Sequence, residues 1–164
     1  MACRGVHFAL AEIDVQQLLA APGDEAVLEY IQDVIEDRWE VGWLYASDKA
    51  WDAIHRCLCD GSLASDRGTY PLKLAVLGGR QLYSKDDYIV SLVTPTEVRD
   101  VAASLEAITI DALRARYDAI DQEDYGYPKS EEDWEYTRDN FLPMIAFSRK
   151  AATAERYVIF SVDQ

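Results

Sequence analysis

Asp48-Lys49-Ala50-Trp51-Asp52-Ala53-Ile54-His55 reads as the start of a core helix. Asp48 is the expected N-cap, because its side-chain oxygen can accept from an otherwise unpaired first-turn N–H. Trp51, Ile54, His55 and Leu58 then recur at helical spacing, which sets an aromatic, an aliphatic and an imidazole on one stripe. The helix is expected to run to about Cys59, where Asp60-Gly61-Ser62 ends it.

Before this helix, Val6 to Leu10 is a short first strand. Asp14 is read as the cap of a helix through Val15, Leu18 and Leu19, which Pro22-Gly23 stops. Asp24 is read as the cap of a second, whose stripe is Val27, Tyr30, Ile31, Val34 and Ile35. Trp39 to Tyr45 is dense in aromatics and expected to be extended. After it, Tyr70 to Leu77 fits a strand or buried helical turns, and Gly78-Gly79 closes it as a turn. Tyr88 to Leu92 is a strand. Thr94-Pro95-Thr96-Glu97 is a capping box with proline at the first helical position. Further helices are expected from about Thr109 and from Ser130, the second kinked or split at Pro143. Arg156 to Val162 completes the chain as a central strand. Few strands spread between helical pairs predict an α/β (mixed α+β) fold, a mixed sheet flanked by helices in three layers, in a single domain over residues 1–164.

The bulk properties agree. The chain has 164 residues, enough to bury a self-sufficient core, with 49% hydrophobic and 28% charged residues. No stretch approaches the roughly 20 apolar residues of a membrane span. The first residues lack a signal peptide's apolar region, so the expected location is cytoplasmic. Cys3, Cys57 and Cys59 do not suggest a disulfide framework. A net charge of −14 argues against nucleic acid and anionic membranes as partners, and permits a basic protein.

The order of these signals resembles the YfbM-like family, small bacterial proteins described as a domain of unknown function. The resemblance rests on Asp48 to His55, Pro71-Leu72 with Gly78-Gly79, Thr94 to Val98, Leu105-Glu106-Ala107-Ile108, and Tyr127-Pro128 with Trp134. It implies a three-layer domain with a mixed sheet, and neither a reaction nor a cofactor. The helix through Ile35 and the Trp39–Tyr45 segment are less typical, so any difference in function is expected there.

Four features could carry chemistry. Asp48, Trp51, Asp52 and His55 could line a pocket, with His55 as a general base and Asp52 orienting it. The plain alternative is a core imidazole and an Asp52–Arg56 helix pair. Cys3, His7, Cys57 and Cys59 lack the paired spacings of a metal site and read as structural, so neither metal nor other cofactor is expected. Gly78-Gly79 is too short for a phosphate loop. Asp121, Glu123, Asp124, Tyr125, Glu131, Glu132, Asp133 and Glu135 form an acidic, aromatic stretch suited to a basic protein, unless it is simply a solvated face. The first expectation is therefore a non-enzymatic acidic binding protein, and an inhibitor or immunity-type role would suit it. The second is an enzyme or small-ligand binder at the Trp51–His55 face. The sequence does not set the oligomeric state.

Overall fold

A computed structural model describes residues 3–163. Its centre is a five-stranded sheet of β1 (Gly5–Leu10), β2 (Leu44–Asp48), β3 (Arg80–Gln81), β4 (Tyr88–Val93) and β5 (Tyr157–Asp163), in the order β2-β1-β5-β4-β3. Period-2 alternation divides these strands between two cores. Val6, Phe8, Leu10, Val90, Leu92 and Ile159 face one side, while Ala9, Val93, Val158, Phe160 and Val162 face the other.

Helices cover both faces, which gives the three layers. Over the first face lie α1 (Glu12–Ala20), α2 (Asp24–Tyr30) and a π-helical continuation over Ile31–Glu36, contributing Val15, Leu18, Val27, Ile31 and Ile35. The wider π turn is marked by the Asp37 N–H reaching back to the Gln32 carbonyl. Over the second face lie α3 (Trp51–Leu58), α4 (Pro95–Glu106), α5 (Ile110–Asp118), the short α6 (Gln122–Tyr125) and α7 (Glu131–Thr153).

The mixed α/β class holds, but every strand pairing is antiparallel, where parallel and antiparallel pairs together were expected. Two helices lie between β1 and β2, so the chain re-enters the sheet from the opposite end. A single-helix crossover, the usual source of parallel neighbours, joins none of these pairs.

Three expected caps shift. Asp48, Asp14 and Asp24 do not cap α3, α1 or α2; Ala50, Ala11 and Gly23 hold those positions without a side-chain cap. Each carboxylate has a tertiary partner instead: Tyr136 and Arg4 for Asp48, Tyr30 and Arg38 for Asp14, Ser84 for Asp24. Trp39 to Tyr45 is not one extended run, because Val41–Trp43 form a 3-10 turn before β2. The apolar run after Tyr70 resolves into turns with a 3-10 segment at Leu72–Leu74. A Cβ on Gly78 would stand 2.1 Å from the Lys73 carbonyl oxygen, so this glycine serves close backbone packing.

The local signals with two cooperating parts hold. Thr94 Oγ1 accepts from Glu97 N, and Glu97 reaches back to Thr94 N at 2.8 Å, so α4 starts as a complete capping box. Thr94→Ala is expected to lower stability by about 1 kcal/mol, with Thr94→Ser near neutral, measured by urea denaturation. Thr109 and Ser130 cap α5 and α7 by accepting from the Ala112 and Asp133 N–H groups, without the reciprocal half of the box. Of the kink or split expected at Pro143, the split does not occur: α7 runs on as one helix. Pro143 sits on its exposed side, and the carbonyl it deprives of a donor belongs to exposed Asp139, where water can supply the bond.

Candidate functional site

The Trp51–His55 face is buried in the core. Trp51 is buried, its Nε1–H donating to the Cys3 carbonyl at 3.1 Å and its ring against Phe160. His55 is 1% exposed. Its Nε2–H donates to the Ala64 carbonyl at 3.2 Å, so Nδ1 is the acceptor facing the Cys59 thiol at 3.8 Å. Burial lowers the imidazole pKa and raises that of the Cys59 thiol to about 11, so neither charges readily near neutrality. Asp52 is held by Arg56 at 2.6 Å and does not orient His55. Asp48 lies apart, at the end of β2. The four residues therefore do not converge. Helical spacing placed Trp51 and His55 on one stripe correctly, but the stripe faces inward.

The thiols also stay structural. Cys57 is fully buried, which pushes its thiol up to about 12. Among the described residues, no group of three or more His, Cys, Asp or Glu side chains is placed to hold a metal ion.

Much of the acidic stretch is committed to internal bonds. Asp121 caps α6 through Asp124 N, and the Asp124 carboxylate pairs with Arg56. Asp133 accepts from Tyr117 at 2.6 Å and from buried Tyr125 at 3.1 Å, and Glu131 pairs with Arg114 at 2.8 Å. Glu123, Glu132 and Glu135 are exposed and have no hydrogen bond or ion pair among the described residues.

A concavity lies elsewhere, at one end of the sheet beneath the π-helical turn. It is a depression of about 600 Å³ bounded by Arg4, Glu36, Trp39, Asp48, Tyr88 and Asp163. Antiparallel register brings the start of β4 beside the end of β5, pairing Tyr88 with Asp163, and sets Gly5 opposite Asp48. The π turn then lowers Glu36 onto this end of the sheet. One oxygen of Glu36, Oε1, accepts from Tyr88 Oη at 2.6 Å and from Ser161 Oγ at 3.1 Å. Its Oε2 takes no bond among the described residues and is not sealed from solvent. Burial, and then the Glu36 carboxylate, raise the Tyr88 pKa, so its hydroxyl remains a donor.

Trp39 closes the side of the depression. It is 45% exposed, and its N–H returns to the Glu36 carbonyl at 3.1 Å, which leaves the residue at φ +37°. Asp48, also on this rim, has φ +49°. Two of the three described non-glycine residues with positive φ thus border one concavity, a backbone conformation L-residues rarely adopt without surrounding constraint. Arg4 pairs with Asp48 at 3.3 Å, while Glu36 and Asp163 have no ion-pair partner among the described residues. The depression therefore carries uncompensated negative charge beside an exposed indole. Sequence reasoning missed it because the residues come from five separated segments. The one available signal was the atypical helix through Ile35 with the aromatic segment after it.

A family described as "Domain of unknown function (DUF1877)" matches residues 1–161. The chain belongs to this family. The fold of this DUF1877 member is similar to the crystal structure of YfbM from Escherichia coli, a protein of unknown function. The TM-score is 0.70 at 22% identity, over 97% of this chain and 99% of that one. The YfbM-like resemblance in the sequence thus extends to the three-dimensional structure. Comparison with curated proteins gives no match. No helix among the described residues is long and apolar enough to cross a membrane.

Proposed function

We propose that this DUF1877 member is a non-enzymatic binding protein that engages a basic protein through the depression at Glu36, Trp39 and Asp163. The observation that carries the reading is the Glu36 and Asp163 carboxylates, without an ion-pair partner among the described residues, sharing a concavity of about 600 Å³ with a half-exposed tryptophan. Concave sites of this size with a few convergent polar groups are the usual form of ligand sites. An aromatic anchor beside charges of one sign suits a steered interface. The net charge of −14 adds a long-range field that favours a basic partner, and Glu123, Glu132 and Glu135 contribute to it. A role in masking or inhibiting such a partner would suit the shape and charge of this surface.

The test compares two charge-matched variants by fluorescence anisotropy, using a labelled synthetic peptide of alternating Lys and Gly. Glu36→Gln with Asp163→Asn is expected to weaken binding about tenfold at roughly 0.1 M salt, the loss of roughly 1.4 kcal/mol. Glu132→Gln with Glu135→Gln removes the same charge and is expected to change it less than about twofold, since exposed distant charges are screened. Equal losses from both pairs would reduce the interaction to bulk charge and sink the reading.

A further inference from the structure

We infer that the depression selects a lysine side chain, lodged between the indole face of Trp39 and the open oxygen of Glu36, in preference to arginine. The inference rests on the basic-partner reading above and sharpens it to one kind of anchor.

The first ground is how this chain treats its own tryptophans. Of its four, Trp43 lies under Lys150 Nζ at 4.3 Å and Arg156 at 3.6 Å from the ring centroid, and Trp134 under Arg114 at 5.2 Å. Trp51 is buried against Phe160. Trp39 touches Phe8 edge-on, carries no cation among the described residues, and is the most exposed of the four. The nearest arginine in sequence, Arg38, is turned away to Asp14 at 2.9 Å. An uncapped indole bordering a negatively charged concavity is a place where a cation gains both ring and carboxylate attraction.

The second ground is the state of Glu36. Its two oxygens are not equivalent, because Tyr88 and Ser161 both donate to Oε1 and leave Oε2 alone. Arginine draws its advantage over lysine from a planar fork that meets both oxygens of a carboxylate at once. A carboxylate with one oxygen already doubly occupied cannot receive that fork. An ammonium is a compact donor that needs only one open oxygen, and its three N–H groups can also address water in the open depression. Glu36 and Trp39 line the same depression and are tied by the Trp39 N–H to the Glu36 carbonyl at 3.1 Å, so a cation lodged there can meet both, with Asp163 on the same lining supplying field.

The test measures anisotropy with three labelled peptides that share a neutral Gly-Ser frame and differ at a central pair of residues: lysine, arginine or Nε-acetyl-lysine. The lysine peptide is expected to bind at least fivefold tighter than the arginine peptide, and the acetylated one to lose binding. Glu36→Gln should abolish the lysine preference, and Trp39→Ala should weaken both cationic peptides. If Glu36→Gln perturbs folding, judged by its melting temperature, the acetyl-lysine comparison on the unaltered chain still decides the role of the charge. Arginine binding as tightly as lysine, with both lost on Glu36→Gln, overturns the selectivity and leaves the basic-partner reading standing. If neither cationic peptide distinguishes the unaltered chain from the Glu36 and Trp39 variants, the reading itself falls.

Discussion

Arg56→Met is expected to destabilise the chain by about 3–5 kcal/mol, the cost of stranding a buried charge without its partner. The Arg56 side chain is 3% exposed although it is a guanidinium. It is tolerated because its donors are spent: Nε to Asp52 at 2.6 Å, Nη1 to the Gly61 carbonyl at 3.1 Å and to the Asp124 carboxylate, and Nη2 to the Asp124 carbonyl at 3.2 Å. These bonds tie α3 to the loop after it and to α6. Methionine fills similar volume, so the loss comes chiefly from Asp52, whose carboxyl burial already pushes up in pKa against the pull of Arg56. Asp124 matters less to this balance. Its side chain is 61% exposed, and Asp124→Asn is expected to cost under about 1 kcal/mol. Urea unfolding of Arg56→Met alone and with Asp52→Asn separates the contributions. The double variant should recover a large part of the loss. A single-variant loss below about 1 kcal/mol would show that Arg56 does not hold this junction.

The difference between the caps that held and those that moved explains what the sequence made legible. At Thr94, the cap, the proline and the returning glutamate lie within four residues, so local chemistry decides the outcome. At Asp48 only the cap residue was in view. Its carboxylate is taken by Tyr136, a residue 88 positions away, and no local rule reports that competitor. The central strand β5 was legible because it is buried on both faces and reads as a continuous apolar run. The two-residue β3 was not, because its pairing with Ser91 and Leu92 carries no pattern of its own. Pairing direction stayed hidden for the same reason, being set by how many helices intervene. Within the acidic stretch Tyr125 points inward and, together with the inward Tyr117 of α5, donates to Asp133, turning that carboxylate into a structural acceptor. The depression was invisible residue by residue. Glu36 reads as the polar side of a helix and Trp39 as the start of an extended aromatic segment, and only the π turn and the sheet's register put them in one place.

Stability is expected to fall by about 3 kcal/mol as pH drops from near 6.5 to 4, with His7 responsible for most of it. His7 sits on β1, which pairs on both edges, with its ring among Tyr45, Phe147 and Phe160. Its Nε2–H donates to the Ala75 carbonyl at 2.9 Å, which fixes the tautomer and leaves Nδ1 without a partner among the described residues. A second proton on Nδ1 would place an unsatisfied charge inside an aromatic core. Burial accordingly lowers the pKa from 6.5 to about 4, only partly opposed by the bond to Ala75. The unfolded chain takes up this proton near pH 6.5, and the folded chain resists until about 4. Between those values the unfolded state binds more protons, so acidification favours it. The stability contributed by neutral His7 is complete above pH 6.5 and is lost as pH falls through 4. Buried His55 shifts in the same direction and adds to the slope. His7→Gln keeps a donor for Ala75 and cannot titrate. It is expected to be less stable at pH 7, for want of the ring's packing, yet to lose much less between pH 7 and 4.5 than the unaltered chain does. Urea midpoints at those two pH values measure the difference. Parallel pH dependence in the two proteins would remove the His7 imidazole as the source of the acid sensitivity.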